Sequence, residues 1–293
     1  NNLFTLCHLI YTDTFYMKRK WIRWVSWILL TPIILFVILM VLLYVPPVQN
    51  LLRREVTAYA SKATGMQIQV ERIDLRFPLN LLVRGVEVIQ QPDTLLSLES
   101  LNVRVQAWPL IKGKVEVDEV TLSRVAVNSA DLMEGMKIKG VLGRFFLQSH
   151  GVDLSNELAV INQVELSDTH MQLLMNDTTT TPKDTTASAP INWKVALHQL
   201  KLKNVSFSMQ LPADSMRMTA HIGEAAINNA QADLKNQYYD LKKFLLSGTS
   251  ASYDTGTAQP TEGFDASHIA VRDIRIALDS LLYKGRDMNA VIR

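Results

Sequence analysis

The feature that most constrains this chain is a short apolar pattern that steps by two and then by three. It reads φ-x-x-φ-x-φ, often extended by a further x-x-φ-x-φ, where φ is apolar. It occurs at Val117, Val120, Leu122, Val125 and Val127. It returns at Ile161, Val164, Leu166, Thr169 and Met171, and again at Leu197, Leu200, Leu202, Val205 and Phe207. Ile222, Ala225, Ile227, Ala230 and Ala232 make a weaker copy. Partial copies are Val70, Ile73, Leu75; Leu98, Leu101, Val103; and Val271, Ile274, Ile276. Steps of two belong to strands, whose side chains alternate between faces. A step of three would flip the apolar set to the other face. Keeping one face apolar therefore requires a bulge or bend at each step, and such strands twist and curve. The copies are irregularly spaced, which excludes a fixed-period solenoid. The expectation is many short antiparallel strands sharing one apolar face.

Strand alternation also shows in Met66–Val70, Leu101–Val105 and Lys114–Val117. Before them, residues 48–63 carry Val48, Leu51, Leu52, Val56, Tyr59, Ala60 and Ala63 at helical spacing. Pro46-Pro47 precedes this helix and Gly65 fits the position just past its end. It reads either as a helix that plugs one end of the next domain or as an amphipathic helix on a membrane surface. Two stretches, 176–190 and 247–267, read as surface loops. Gln231–Leu246, with Leu234, Tyr238, Leu241 and Leu245, has the spacing of a further helix.

From Trp24 to Val45 no residue is charged, a run of about 33 Å as helix, enough for a hydrocarbon core of ~30 Å. Trp24 and Trp27 at one end and Tyr44 at the other are placed as interfacial anchors. No small-residue cleavage site follows, so an uncleaved anchor is expected. Lys18, Arg19, Lys20 and Arg23 precede it and orient the N-terminus to the cytoplasm. The organisation expected is 17–23 as cytoplasmic start, 24–45 as span, 46–65 as short helix and 66–293 as β-region. Met17 is the expected start, with residues 1–16 as upstream read-through or disordered; an internal fragment is the other reading. The chain stops at Arg293 inside a patterned stretch, and a longer parent is expected.

The chemistry of catalysis finds little footing. The only cysteine is Cys7 and the net charge is +2, which argue against a disulfide framework, a cysteine-based zinc site and a nucleic-acid partner. The six histidines show no metal-binding spacing, and no nucleophile elbow, Walker loop or dinucleotide fingerprint is present. No enzyme activity, metal or cofactor is expected. What remains is the apolar strand face. It is either an ordinary closed core or a face left open to acyl chains.

An ordered set of pieces in residues 46–128 resembles the N-terminal region of the AsmA-like superfamily, its TamB-type translocation and assembly members in particular. After the basic start and single span come Val48-Gln49-Asn50-Leu51-Leu52 and a helix ending Ser61-Lys62-Ala63-Thr64-Gly65. Then follow Ile68–Leu75, Leu82–Val88, Pro92–Val103 and the Trp108-Pro109-Leu110-Ile111-Lys112-Gly113 turn. The Thr-rich stretch departs from the family pattern.

The resemblance implies a mainly β protein: a transmembrane helix, a short helix and an elongated, curved antiparallel β-groove. It implies a bacterial inner-membrane anchor with the bulk in the periplasm, phospholipids as cargo moved toward the outer membrane, and no cofactor. An outer-membrane β-barrel partner, reached through a further C-terminal part, is implied as well. The groove-lining candidates are Val70, Ile73, Leu75, Leu101, Val103, Val117, Val120, Leu122, Val164, Leu166, Leu200, Leu202, Ile274 and Ile276. The alternatives are a scaffold for outer-membrane protein assembly and a plain anchored β-domain with a closed core.

Overall fold

A computed structural model describes residues 31, 41, 44–77, 79–111, 116–129, 135–153, 157–175, 192–256, 261–285 and 287–292. The expected span at 24–45, with Trp24 and Trp27, lies outside these apart from Thr31, Val41, Tyr44 and Val45. The Thr-rich stretch 176–190 and the Lys112-Gly113-Lys114 turn also lie outside them. No helix among the described residues is long and apolar enough to cross a membrane.

The chain divides into two compact units, 1–51 and 52–293. Helix α1 spans Pro46–Thr64, and Gly65 follows it at φ +70°, a left-handed conformation that suits glycine. The second unit is a single sheet of eleven strands in sequence order. These are β1 (Gln67–Arg76), β2 (Asn80–Gln90), β3 (Asp93–Val105), β4 (Val117–Asn128), β5 (Met136–Asp153) and β6 (Leu158–Met175). The series continues with β7 (Lys194–Leu211), β8 (Met216–Asp233), β9 (Tyr238–Asp254), β10 (His268–Lys284) and β11 (Asp287–Ile292). A five-residue helix, α2 (Ala107–Ile111), stands between β3 and β4. The sheet is open, since β1 and β11 end the order without pairing to each other.

Four expectations need correction. The sheet is not wholly antiparallel, because β6 and β7 run parallel, with Leu158 beside Lys194 and Leu174 beside Gln210. Met175 and Lys194 thus sit at opposite ends of neighbouring strands. Gln231–Leu246 is not a helix but the end of β8, a turn and the start of β9. Its helical spacing arose because Leu241 and Leu245 lie on opposite faces of β9. Ser247–Asp254 belongs to β9 rather than to a loop. Finally, of the strand expected at Lys114–Val117, Lys114 and Val115 lie outside the described residues, and β4 begins at Val117 with Glu116 before it.

The step of three takes a form the sequence left unspecified. In β3 and β4, Leu98 pairs with Val125 and Ser100 with Ser123, while Glu99 and Arg124 face each other unpaired. The register is the same on both sides. The same holds between Val70–Val86 and Arg72–Arg84, leaving out Glu71 and Gly85. It recurs at Gly143, Asp168, Asn204 and Gly223 in the following strands. Each strand steps where its neighbour steps, so no extra residue is inserted. Only the β9–β10 pair shifts register here, between Val271 and Ile276. Backbone conformation carries the step: Gly85, Arg124, Asp168, Asn204, Gly248 and Asp273 all have φ between 46° and 59°. Asp, Asn and Gly are the residues that enter this region most readily.

Glycines face the left-handed residues for a steric reason. A Cβ on Gly143 would lie 2.7 Å from the Asp168 Cβ and 2.8 Å from its carbonyl oxygen. One on Gly223 would lie 2.8 Å from the Gly248 carbonyl oxygen. The result is a transverse crease from β1 to β10, with Asn204 Nδ2 donating to Asp168 Oδ1 across it at 2.7 Å. Arg124 Nε donates to Glu99 Oε2 on the same line.

Candidate functional site

Residues directly opposite in a ladder share a face, so the pairing assigns the faces. One ladder runs Leu75, Leu81, Val103, Val120, Leu147, Val164, Leu200, Ile227, Phe244, Leu278, Ile292. It crosses all eleven strands and every member is apolar. The next runs Ile73, Val83, Leu101, Leu122, Phe145, Leu166, Leu202, Ala225, Leu246, Ile276, again wholly apolar. Beyond the crease the face continues through Val70, Val86, Leu98, Val125, Leu142, Thr169, Val205 and Ile222. Thus φ-x-x-φ keeps one face apolar, as the pattern requires.

The structure brings all fourteen groove candidates to this one face. Val120, Val164, Leu200, Leu75 and Val103 share the first ladder. Ile73, Leu101, Leu122, Leu166, Leu202 and Ile276 share the second. Val70 lies just past the crease, and Ile274 pairs with Thr249 there. Val117 pairs with Val105 at the far margin of β4. Of the anchor candidates only Tyr44 is described, in a turn whose amide donates to the Val41 carbonyl at 3.0 Å.

The sequence pattern also missed members. β2, β5 and β9 obey the same template, at Leu81, Val83, Val86, Val88; at Leu142, Phe145, Leu147; and at Leu241, Phe244, Leu246, Thr249, Ala251. Apolar residues on their other face, Leu82, Val141, Phe146 and Leu245, obscured the period. Aligning the template on the gap, not on the apolar run, would have found them.

Nothing among the described residues covers this face. Every substantial contact runs between neighbouring strands, apart from the turn Pro212–Asp214 against β8. Ile73, Leu98 and Ala225 are buried, yet among the described residues no side chain is fully enclosed. Most ladder residues are half-buried, sheltered by their neighbours on the same face instead of by a second layer. Met171 fills the space beside Gly140, so the row stays level where a side chain is missing.

The opposite face is polar and largely self-satisfied. One ladder reads Arg76, Asn80, Arg104, Glu119, Gln148, Gln163, Gln199, Asn228, Lys243. Another reads Arg72, Arg84, Ser100, Ser123, Arg144, Ser167, Lys203, Glu224, Ser247. Arg104 bridges Glu119 at 3.0 Å, Ser206 meets His221 at 3.0 Å and Thr219 meets Ser252 at 2.7 Å. A hollow of about 540 Å³ lies on this side, where Ala226 and Ala277 leave room between Lys201, Lys203, Glu224 and Arg275.

Two of the displaced titrations, Asp233 and Asp265, sit at strand ends and turns, and the third, Lys242, lies within β9. The backbone N–H of Asn236, then its side-chain amide, hold Asp233 below the usual carboxylate range. The Asp240 carboxylate, 2.8 Å from its ammonium, raises Lys242. The N–H groups of Ser267 and Thr261, with His268 behind them, lower Asp265 to about 2. These groups do not converge on one site, and each shift is explained by its own neighbours. Among the described residues no group of His, Cys, Asp or Glu is placed to hold a metal ion.

One edge of the sheet is met by the helix before it. On the outer side of β1, Ser61 Oγ of α1 accepts from the Ile68 amide at 3.0 Å, and Arg53 Nη1 donates to the Glu71 carbonyl at 2.5 Å. Helix side chains thus cap groups that an edge strand would otherwise offer to another chain. No protein-family model matches this chain, and no curated protein matches it.

Proposed function

We propose that this chain is a membrane-anchored protein that carries phospholipid acyl chains along the apolar face of its sheet. The observation that carries this reading is the pair of unbroken apolar ladders, crossing ten and eleven strands with no layer over them among the described residues. A soluble domain rarely leaves so large an apolar face uncovered unless something docks on it. Eleven strands at ~4.8 Å make a track of about 50 Å. A buried acyl chain gains ~0.8 kcal/mol per CH₂, so such a track replaces the bilayer for a tail while the headgroup stays wet. Uniformity matters, because a single deep pocket would hold the lipid in place. The uncharged run at 24–45 supplies the anchor in this reading, with residues beyond it across the membrane. The resemblance to the AsmA-like superfamily supports an inner-membrane anchor, a periplasmic sheet and delivery toward the outer membrane. No step requires a catalytic residue.

The test is transfer of fluorescent phospholipid from donor to acceptor vesicles, with the chain embedded in the donor. Leu202→Asp sets a charge in the second apolar ladder and is expected to abolish transfer. Lys201→Asp, one residue away on the polar face, is expected to leave it intact. Equal transfer by both variants, with both folded by circular dichroism, would overturn the reading. In that case an assembly scaffold, whose activity does not depend on this face, would replace it.

A further inference from the structure

One corner of the sheet is built to meet a lipid surface. The turn after β1 carries Phe77, which is 85% exposed, and α2 after β3 carries Trp108, which is 68% exposed. Both follow strands that run in the same direction, so both rings stand at one end of the sheet. The corner is fixed by backbone bonds. The Val105 amide donates to the Leu79 carbonyl at 3.0 Å, tying the first turn to the end of β3. The Gln106 amide donates to the Glu116 carbonyl at 2.9 Å, and its side-chain amide to Asp118 Oδ1 at 2.5 Å, closing the loop that holds α2. Large rings held outward on a fixed frame are what a protein core would not tolerate and a bilayer interface favours.

Charge and chain direction agree. Arg76 adjoins Phe77, and Arg104 lies in the same ladder two strands on. Arg76 is exposed next to Phe77, and a cation near a bilayer surface draws anionic headgroups, whereas Arg104 is already bridged to Glu119 at 3.0 Å. Helix α1 runs against β1, with Ser61 at Ile68 and Arg53 at Glu71. From Ser61 back to Arg53 the helix follows β1 in the direction of Phe77.

We infer that Phe77 and Trp108 form an interfacial foot that seats this corner on an anionic lipid bilayer, at headgroup depth. The inference rests on the anchoring part of the function proposed above but not on lipid transfer. It sets the first strands of the apolar face against the bilayer surface, where a tail would enter.

The test uses the full chain in vesicles of phosphatidylethanolamine and phosphatidylglycerol, with Trp21, Trp24, Trp27 and Trp193 changed to Phe. Trp108 emission is expected to shift to the blue. Lipids with a nitroxide near the headgroup should quench it more than lipids labelled at the chain end. In a matched chain whose sole tryptophan is Phe264→Trp, an equally exposed ring at the opposite end of the sheet, no lipid quenching is expected. Phe77→Trp with Trp108→Phe gives a second reporter that should behave like Trp108. Flotation with the vesicles scores the anchor separately. A chain that floats while its Trp108 stays open to aqueous iodide and untouched by nitroxide lipid would overturn the foot and leave the anchor standing. Equal lipid quenching at Trp108 and at position 264 would also overturn it, since the sheet would then lie without a preferred end.

Discussion

The two faces of this sheet share a backbone, a crease and a register, yet one is finished and the other is not. On the polar face, neighbouring strands supply partners for one another, as Arg104 does for Glu119 and Thr219 for Ser252. Partly exposed pairs of this kind contribute little, roughly 0–1 kcal/mol each, but they satisfy most of the polar groups on that face. On the apolar face the ladders are as regular, and contact with a lateral neighbour shelters only part of each side chain. That difference teaches where to look for function in a chain without catalytic signatures. It lies in the surface whose chemistry is incomplete.

The comparison is broken most severely at Leu98, which is 8% exposed and among the most buried residues of the apolar face. Leu98→Ala is expected to cost about 2–4 kcal/mol, while Ser97→Ala beside it on the other face should stay within about 0.5 kcal/mol. Urea unfolding of both variants checks the contrast. Equal costs would mean that the faces are not energetically distinct.

A smaller loss is expected at the crease. Gly223→Val places a Cβ 2.8 Å from the Gly248 carbonyl oxygen and 3.1 Å from that of Ser247, both backbone atoms that yield little. Overpacking of this sort costs about 1–3 kcal/mol. Thermal unfolding should show it, and no loss would mean that the strands do not meet as closely there.

Arg104→Gln removes a half-exposed bridge and should cost under about 1 kcal/mol, less at high salt. Denaturation at two ionic strengths is the check. The smallest effect is local and lies in the turn between β9 and β10. Asp265 is lowered to about 2 from an ordinary 3.8. A depressed carboxylate contributes order that is complete above 3.8 and is lost as pH falls through about 2. Amide exchange at Thr261 and Ser267 should therefore accelerate across that window, and Asp265→Asn should weaken the window's effect.

Much of this architecture was legible because one pattern encodes it. The gap in φ-x-x-φ marks the crease in β4, β6, β7 and β8, and in the first three its second residue is the left-handed one: Arg124, Asp168 and Asn204. What the pattern could not carry was the paired nature of the step, since a single strand does not reveal that its neighbour steps at the same row. The parallel join of β6 and β7 was equally hidden. Parallel and antiparallel ladders place the same side chains on the same face, so face periodicity does not distinguish them. Gln231–Leu246 misled for another reason. Leu245 is an apolar residue on the polar face, and it completed a helical spacing by coincidence. The corner with Phe77 and Trp108 left no periodic trace, because exposed rings at strand ends belong to no face.

The most direct test places a photo-crosslinking residue along one ladder, at Val103, Val120 and Leu200, and in the next at Leu122 and Leu202. Glu119 and Lys201 on the other face serve as controls, and irradiation in cells is followed by mass spectrometry. Phospholipid adducts at every ladder position and at neither control are the expected result. Ladder positions free of lipid and shielded from a water-borne probe would show a closed core and contradict the account.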